Sequence, residues 1–337
     1  PNTALQKAGA EIILVGSRMN EEYRSRQGKI GLKPNATATE LQASELDAVL
    51  ISGGWAASKI RANPNAVRLV KDVIAQGKVV AAVGYGVQVL IEAEQLAGRK
   101  VTGFHTISKD IQNAGATYIN EPITVDGSLI TARRPGDLPI FTTVLLNSLN
   151  LTIDGLVLPE PSDYTYEWWQ LGEAWGGWRK NDIINVLSAA ITGERYTLEA
   201  FRQYSYRILD ENLRFALQDI SGIKQNYVAR LEAQLHNTFN EKVSWQVFSS
   251  EIYAIFQSWL QSNDNLSIFR RVLGDLQTGV VDMYNLYNDL TDPATVAILE
   301  EIQHDLAQQE RRLIDLGLAH FGTNLQSPTP STIAAFK

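Results

Sequence analysis

The spacing of hydrophobic residues changes near residue 150, and this change constrains the fold more than any other feature of the sequence. Before it, continuous apolar segments such as 46–54 and 79–86 end in glycine and alternate with helical patterns. From 181 to about 321 the apolar residues keep a helical spacing throughout. Buried strands that alternate with helices are typical of a parallel sheet, and uninterrupted helical spacing is typical of a bundle. The sequence therefore predicts an α/β domain followed by an all-α domain.

The α/β part has further local signals. The apolar segment 10–16 predicts another strand, and a helix is expected over 87–96 after the strand at 79–86. The segment ITVDGSLITA predicts a hairpin, because Asp126-Gly127 lies between alternating β-forming residues. A closing helix is expected after Asp137, which is a suitable N-cap residue.

Four long helices are predicted in the second part, and Asp292 followed by Pro293 is expected to begin the last one. Their predicted ranges are 182–217, 221–237 with a continuation near 246–261, 264–289 and 293–318. The predicted domain boundaries are 1–152 for the first domain, 153–180 for a tryptophan-rich linker, 181–322 for the bundle and 323–337 for a tail. Four of the seven tryptophans lie in the linker, and we expect them to pack between the domains or within the bundle.

Composition excludes several kinds of function. The chain has no cysteine, so thiol nucleophiles, disulfides and thiolate metal sites are excluded. The net charge is −7, and no run of Lys and Arg exceeds two residues, which argues against a nucleic-acid partner. No stretch of 18 apolar residues predicts a membrane span. With no signal peptide visible, we expect a cytoplasmic protein.

Several separated blocks occur in an order typical of one family. They include Gly53-Gly54 after a strand, the segment GRKVTGF, and the segment NAGATYINEPITVDGSLITARRPGDLP. Over nearly all of residues 1–150 the chain resembles the ThiJ/PfpI family of the DJ-1 superfamily. This resemblance implies a flavodoxin-like sandwich with a mostly parallel sheet, often assembled as a dimer or a larger ring.

In that family a sharp strand-to-helix corner usually reads Ala-Ile-Cys-His-Gly, with the cysteine as nucleophile. The matching residues here are Ala82-Val83-Gly84-Tyr85-Gly86, so glycine replaces cysteine and tyrosine replaces histidine. Covalent catalysis needs an activated nucleophile with a base in reach. Glycine has no side chain, and an ordinary tyrosine pKa lies near 10. We therefore expect the corner to persist while the covalent chemistry of the family is lost.

We therefore expect no catalytic residue. The pocket at the corner is expected to bind a small ligand through backbone N–H groups. The family's acidic residue would lie before Pro1. A different reaction carried by Tyr85 or His105 stays open, as does a pocket that Trp55 lines or fills. The residues expected to form the pocket are Gly53, Gly54, Trp55, Gly84, Tyr85 and Gly86.

The helical part resembles a ferritin-like four-helix bundle, with Glu194 followed by aromatic residues on the first helix. A di-iron site in such a bundle needs a glutamate from each of two helices and a Glu-x-x-His from each of the other two. Only one such pair is present, Glu301 with His304, and the comparable part of the second helix offers Lys224. No metal is therefore expected, and Glu194, Glu301 and His304 are the candidates if iron or another divalent metal binds.

The sequence thus favours a non-catalytic protein with a ligand-binding or assembly role, which the resemblances connect with stress response. We expect a homodimer, an unidentified small ligand, no cofactor, and no nucleic-acid or membrane partner. Two enzymatic alternatives stay open: a di-metal oxidoreductase in the bundle and a cysteine-independent hydrolase in the first domain.

Overall fold

A computed structural model describes residues 1–24, 31–243 and 264–322. It divides into two compact units, Pro1–Gly177 and Trp178–Lys337. The predicted helix continuation at 246–261 and the predicted tail at 323–337 lie outside the described residues. In the part of the chain that is described, no helix is long and apolar enough to cross a membrane.

The first unit contains ten described strands and seven described helices. The strands are β1 (Val15–Gly16), β2 (Tyr23–Arg24), β3 (Gly31–Leu32), β4 (Ala36–Thr37), β5 (Ala48–Ile51), β6 (Val79–Val83), β7 (Lys100–Val101), β8 (Thr117–Tyr118), β9 (Ile123–Asp126) and β10 (Leu129–Ala132). The helices are α1 (Asn2–Lys7), α2 (Trp55–Arg61), α3 (Pro64–Ala75), α4 (Val87–Glu92), α5 (Ser108–Asn113), α6 (Leu138–Ser148) and α7 (Trp168–Ala174).

The main sheet of this unit has the order β5-β6-β10-β9. Strands β5 and β10 both run parallel to β6, whereas β9 pairs antiparallel with β10 through the predicted hairpin. Three further pairs are β1 with β4, β2 with β3, and β7 with β8. The mostly parallel α/β architecture is therefore confirmed. The predicted strand at 10–16 is shorter than expected, since only Val15–Gly16 pairs with a neighbour.

One core of the first unit joins the sheet to α6 and to the tryptophan-rich segment. Trp168 and Trp175 are buried in the same cluster as Ala81, Ile130 and Phe141. The indole Nε1 of Trp168 also donates to the backbone oxygen of residue 163 at 2.8 Å. The segment predicted as a linker thus forms α7 and packs on the first unit, because the aromatic rings bury their area against the sheet and α6.

The predicted N-cap position of α6 is confirmed, but the side-chain hydrogen bond expected of an N-cap residue is not formed. Asp137 occupies the N-cap position, but its side chain makes no hydrogen bond to the first turn of the helix. It accepts instead from Nε of Arg133 at 3.2 Å, and both side chains are largely buried. A buried carboxylate is stabilised more by a charged donor than by a neutral backbone N–H group, so the arginine takes precedence.

The second unit is built from four described helices: α8 (Lys180–Arg207), α9 (Glu211–Phe239), α10 (Asn265–Tyr287) and α11 (Pro293–Phe321). Their buried residues recur every three or four positions, as an amphipathic bundle requires. The start of α11 is as predicted, with the Asp292 side chain accepting from Thr295 N at 3.1 Å. The predicted helix over 182–217 is wrong, because Asp210 accepts from Leu213 N at 2.9 Å and begins a new helix.

Candidate functional site

The glycine corner lies where β6 passes into α4. Residues Gly84–Gly86 form one short helical turn between them. Gly84 has φ +55°, a left-handed backbone conformation that residues with a side chain rarely adopt. A Cβ atom placed there would lie 3.5 Å from the carbonyl oxygen of Arg133, which is an ordinary contact. The corner therefore keeps a backbone conformation that glycine adopts without strain, and it leaves enough room for a Cβ atom.

Two other glycines hold the ends of neighbouring strands together. A Cβ on Gly53, after β5, would lie 2.5 Å from the carbonyl oxygen of Val83 at the end of β6. A Cβ on Gly86, after β6, would lie 2.7 Å from the carbonyl oxygen of Ile51 at the end of β5. Each glycine thus lets its turn contact the backbone of the other strand. The sequence places these glycines in turns but does not reveal this reciprocal contact.

Trp55 does not fill the corner, which corrects one of the alternatives left open by the sequence. It is the first residue of α2 and its side chain is 78% exposed. The preceding Gly54 has φ +65° and nothing within 4 Å of its missing Cβ. The β5–α2 turn therefore places the Trp55 indole in solvent rather than against the corner.

Tyr85 is half-buried and is held by its neighbours. Its hydroxyl shares a hydrogen bond of 2.8 Å with the hydroxyl of Thr106. Its ring lies 5.1 Å from the ring of Phe104, which in turn lies 4.7 Å from the imidazole of His105. His105 is exposed. The hydroxyl partner of Tyr85 is another alcohol rather than a base, so this contact does not activate the phenol as a nucleophile.

A cluster of charged side chains next to the corner, Arg133, Arg134 and Asp137, was not predicted from the sequence. Arg133, whose carbonyl oxygen faces Gly84, donates to Asp137 and, through Nη1, to Asn120 Oδ1 at 3.2 Å. Arg134 is 3% exposed and its Nε lies 3.7 Å from the same aspartate. The segment RRPGD was the available signal, because arginines three and four residues before an acid reach it across one turn.

The three candidate metal ligands of the bundle are not brought together. Glu194 is buried and accepts from Lys224 Nζ at 2.9 Å. Glu301 is exposed and accepts from Arg230 Nη1 at 2.9 Å. That hydrogen bond is the main cause of the lowered pKa of Glu301, partly opposed by burial. His304 is exposed. Within residues 1–24, 31–243 and 264–322, no group of three or more His, Asp or Glu side chains is placed to hold a metal ion.

Comparison with known proteins gives relatives for the first unit. The model of the DJ-1/PfpI family matches residues 1–148. An uncharacterised protein of Archaeoglobus fulgidus is 36% identical over 151 residues, which are 44% of this chain and 88% of that protein. General stress protein 18 of Bacillus subtilis is 33% identical over 142 residues, which are 42% of this chain and 83% of that protein. Protein/nucleic acid deglycase 2 of Escherichia coli is 32% identical over 150 residues, which are 44% of this chain and 87% of that protein.

The similarity to a solved structure extends over both units. That structure is a two-domain protein of Anabaena variabilis that contains DJ-1/ThiJ/PfpI-like and ferritin-like domains. It is 44% identical to this chain, the TM-score is 0.93, and the match covers 98% of this chain and 94% of that one. Both resemblances noted in the sequence are thereby confirmed. The chain belongs to the DJ-1/PfpI family and carries a ferritin-like helical bundle after its family domain.

Proposed function

We propose that this chain is a non-catalytic member of its family, which binds a small ligand at the glycine corner. The observation that carries this proposal is glycine at position 84 of the corner, with φ +55° and no side chain. A covalent adduct needs a nucleophile at that position, and no residue of the chain supplies a thiol. The deglycase activity in the name of the E. coli relative is therefore not expected here.

The ligand is proposed to be a small molecule with a carbonyl or carboxylate oxygen. Gly53 and Gly86 bring the turns after β5 and β6 into backbone contact, so the N–H groups of Gly54, Trp55 and Tyr85 belong to one small region. Grouped backbone N–H donors stabilise an oxygen that carries negative charge. The protein is proposed to act as a homodimer without a cofactor, and the bundle to serve assembly.

An activity assay tests the loss of catalysis. The purified 337-residue chain is incubated with methylglyoxal-treated acetyl-arginine, and release of unmodified acetyl-arginine is followed by chromatography. We expect no release above the protein-free blank. Turnover that disappears in Tyr85→Phe would contradict the proposal, because it would assign the reaction to this site.

A cysteine introduced into this cysteine-free chain tests the pocket. Gly84→Cys is compared with Ala82→Cys, which lies on β6 at a fully buried position. We expect the thiol at position 84 to react with a small disulfide reagent at least tenfold faster than the thiol at position 82. Equal rates in the folded protein would mean that the corner is closed to small molecules. Light scattering of the wild-type protein separately tests the homodimer.

A further inference from the structure

Two opposite charges are buried in the centre of the helical bundle. Glu194 lies halfway along α8 and Lys224 lies halfway along α9, and their side chains are only 3% and 2% exposed. The Lys224 ammonium donates to the glutamate at 2.9 Å. Charged side chains are almost never fully buried unless they are paired, so each of these depends on the other.

The surroundings of the pair fix the ammonium at this place. Lys224 Nζ lies 5.5 Å from the centre of the Phe201 ring, where the ring face attracts a cation. Tyr227, one turn further along α9, is buried and donates its hydroxyl to Asp305 on α11 at 3.0 Å. Burial raises the pKa of Tyr227, the hydrogen bond to Asp305 raises it further, and the nearby charge of Glu194 adds to the effect. The lysine and the tyrosine therefore both face the interior near Glu194.

This donor set does not fit a di-metal centre. Such a centre needs, on this helix, a glutamate and a histidine three residues apart. Positions 224 and 227 have that spacing, but they carry an ammonium and a phenol. The ammonium has three donors and no lone pair, so it cannot ligate a metal, and its charge repels a cation. On α11, the carboxylate of Glu301 is bound by an arginine.

We propose that the Lys224 ammonium is the resident cation of this bundle, in the position beside Glu194 that a divalent metal takes in a di-metal bundle. The single positive charge neutralises the buried carboxylate, and the hydrogen bond from the ammonium replaces one that the carboxylate would make to water if it were exposed. The bundle therefore reaches its stable state with an internal side chain in place of a metal ion.

The first test replaces the cation with an anion in the full-length protein. Lys224→Glu places two carboxylates together in the core, and we expect its melting temperature in EDTA to fall by at least 6 °C. Addition of 1 mM cobalt chloride is expected to recover at least half of that loss. The matched control is Arg230→Glu, which reverses a charge on the same helix at a more exposed ion pair. Neither this control nor the wild type is expected to gain stability from cobalt.

A second pair of variants keeps the proposal testable if Lys224→Glu does not fold. Lys224→Met removes the cation without adding charge, and we expect its melting temperature to fall by roughly 6–20 °C. The double variant Lys224→Met with Glu194→Leu removes both charges and is expected to recover most of that loss. The proposal is overturned if the wild type retains stoichiometric cobalt after desalting. It is equally overturned if cobalt fails to stabilise folded Lys224→Glu, or if Lys224→Met has the same melting temperature as the wild type.

Discussion

Substitution of Gly53 by alanine probes the contact that shapes the corner. The added Cβ would lie 2.5 Å from the carbonyl oxygen of Val83, whereas ordinary carbon–oxygen contacts are about 3.3–3.6 Å. The two groups must therefore separate by roughly 0.8–1.1 Å. Both belong to backbone at the ends of paired strands, since β5 pairs with β6 in register up to Ile51 and Ala82. Neither can move without disturbing the sheet.

The expected cost follows from this geometry. Overpacking of a tight site costs about 1–3 kcal/mol, and we expect Gly53→Ala at the upper end because the clash is with backbone rather than with a flexible side chain. Gly98→Ala is the reference variant, because Gly98 has φ +77° and nothing within 4 Å of its missing Cβ. Its expected cost is only the left-handed strain, about 1–2 kcal/mol. Gly53 is not among the glycines with positive φ, so the cost of Gly53→Ala comes from the contact between the two turns and not from that strain.

Urea unfolding followed by tryptophan fluorescence measures both variants. Trp168 and Trp175 are buried in the core of the first unit, so their emission reports on its unfolding. We expect Gly53→Ala to unfold at a lower urea concentration than Gly98→Ala. We also expect Gly53→Ala to slow the reaction of a cysteine introduced at position 84 with the small disulfide reagent. If Gly53→Ala is as stable as Gly98→Ala or more so, the contact does not constrain the corner and the reasoning fails.

Three further results are expected. Trp168→Ala should cost about 3–5 kcal/mol because the ring is 3% exposed, whereas Trp55→Ala should stay within about 0.5 kcal/mol; equal costs in urea unfolding would place the 153–180 segment outside the first core. Tyr85→Phe should cost about 0.5–1.5 kcal/mol through its lost hydrogen bond and should speed amide exchange in residues 104–107; unchanged exchange would refute that role. Since Arg230 lowers the pKa of Glu301, that pair stabilises the fold above pH 4.5 and loses its effect as the pH falls through the folded pKa. Glu301→Gln should therefore lower the free energy of unfolding by at most about 1 kcal/mol at neutral pH and not at all in acid. If the difference in stability between the wild type and this variant grows as the pH falls, the expected pH dependence is wrong.

Sequence patterns were sufficient to predict those structural features that are formed by the same few residues as the pattern itself. The hairpin of β9 and β10 follows from Asp126-Gly127 between β-forming residues, and the start of α11 follows from Asp292 before Pro293. The corner itself was visible as an apolar strand that ends in glycines. Turn and cap preferences act over three or four residues, so a sequence reports them directly.

Contacts between distant residues required the tertiary structure. The break between α8 and α9 was missed because helical spacing continues across 208–210, although Asp210 caps a new helix. The tryptophan-rich segment belongs to the first unit because Trp168 is buried in the core of that unit, and the sequence does not show this contact.

By itself, the sequence determined the two architectures, the absence of any thiol and the loss of the nucleophile at position 84. Only the tertiary structure decided that Gly53 and Gly86 each contact the other strand's backbone, and that Lys224 meets Glu194 inside the bundle. Composition and spacing fix which groups a segment can offer. Which of them meet depends on how segments thirty or more residues apart pack together, because a clash or a buried charge exists only between the partners that packing brings into contact.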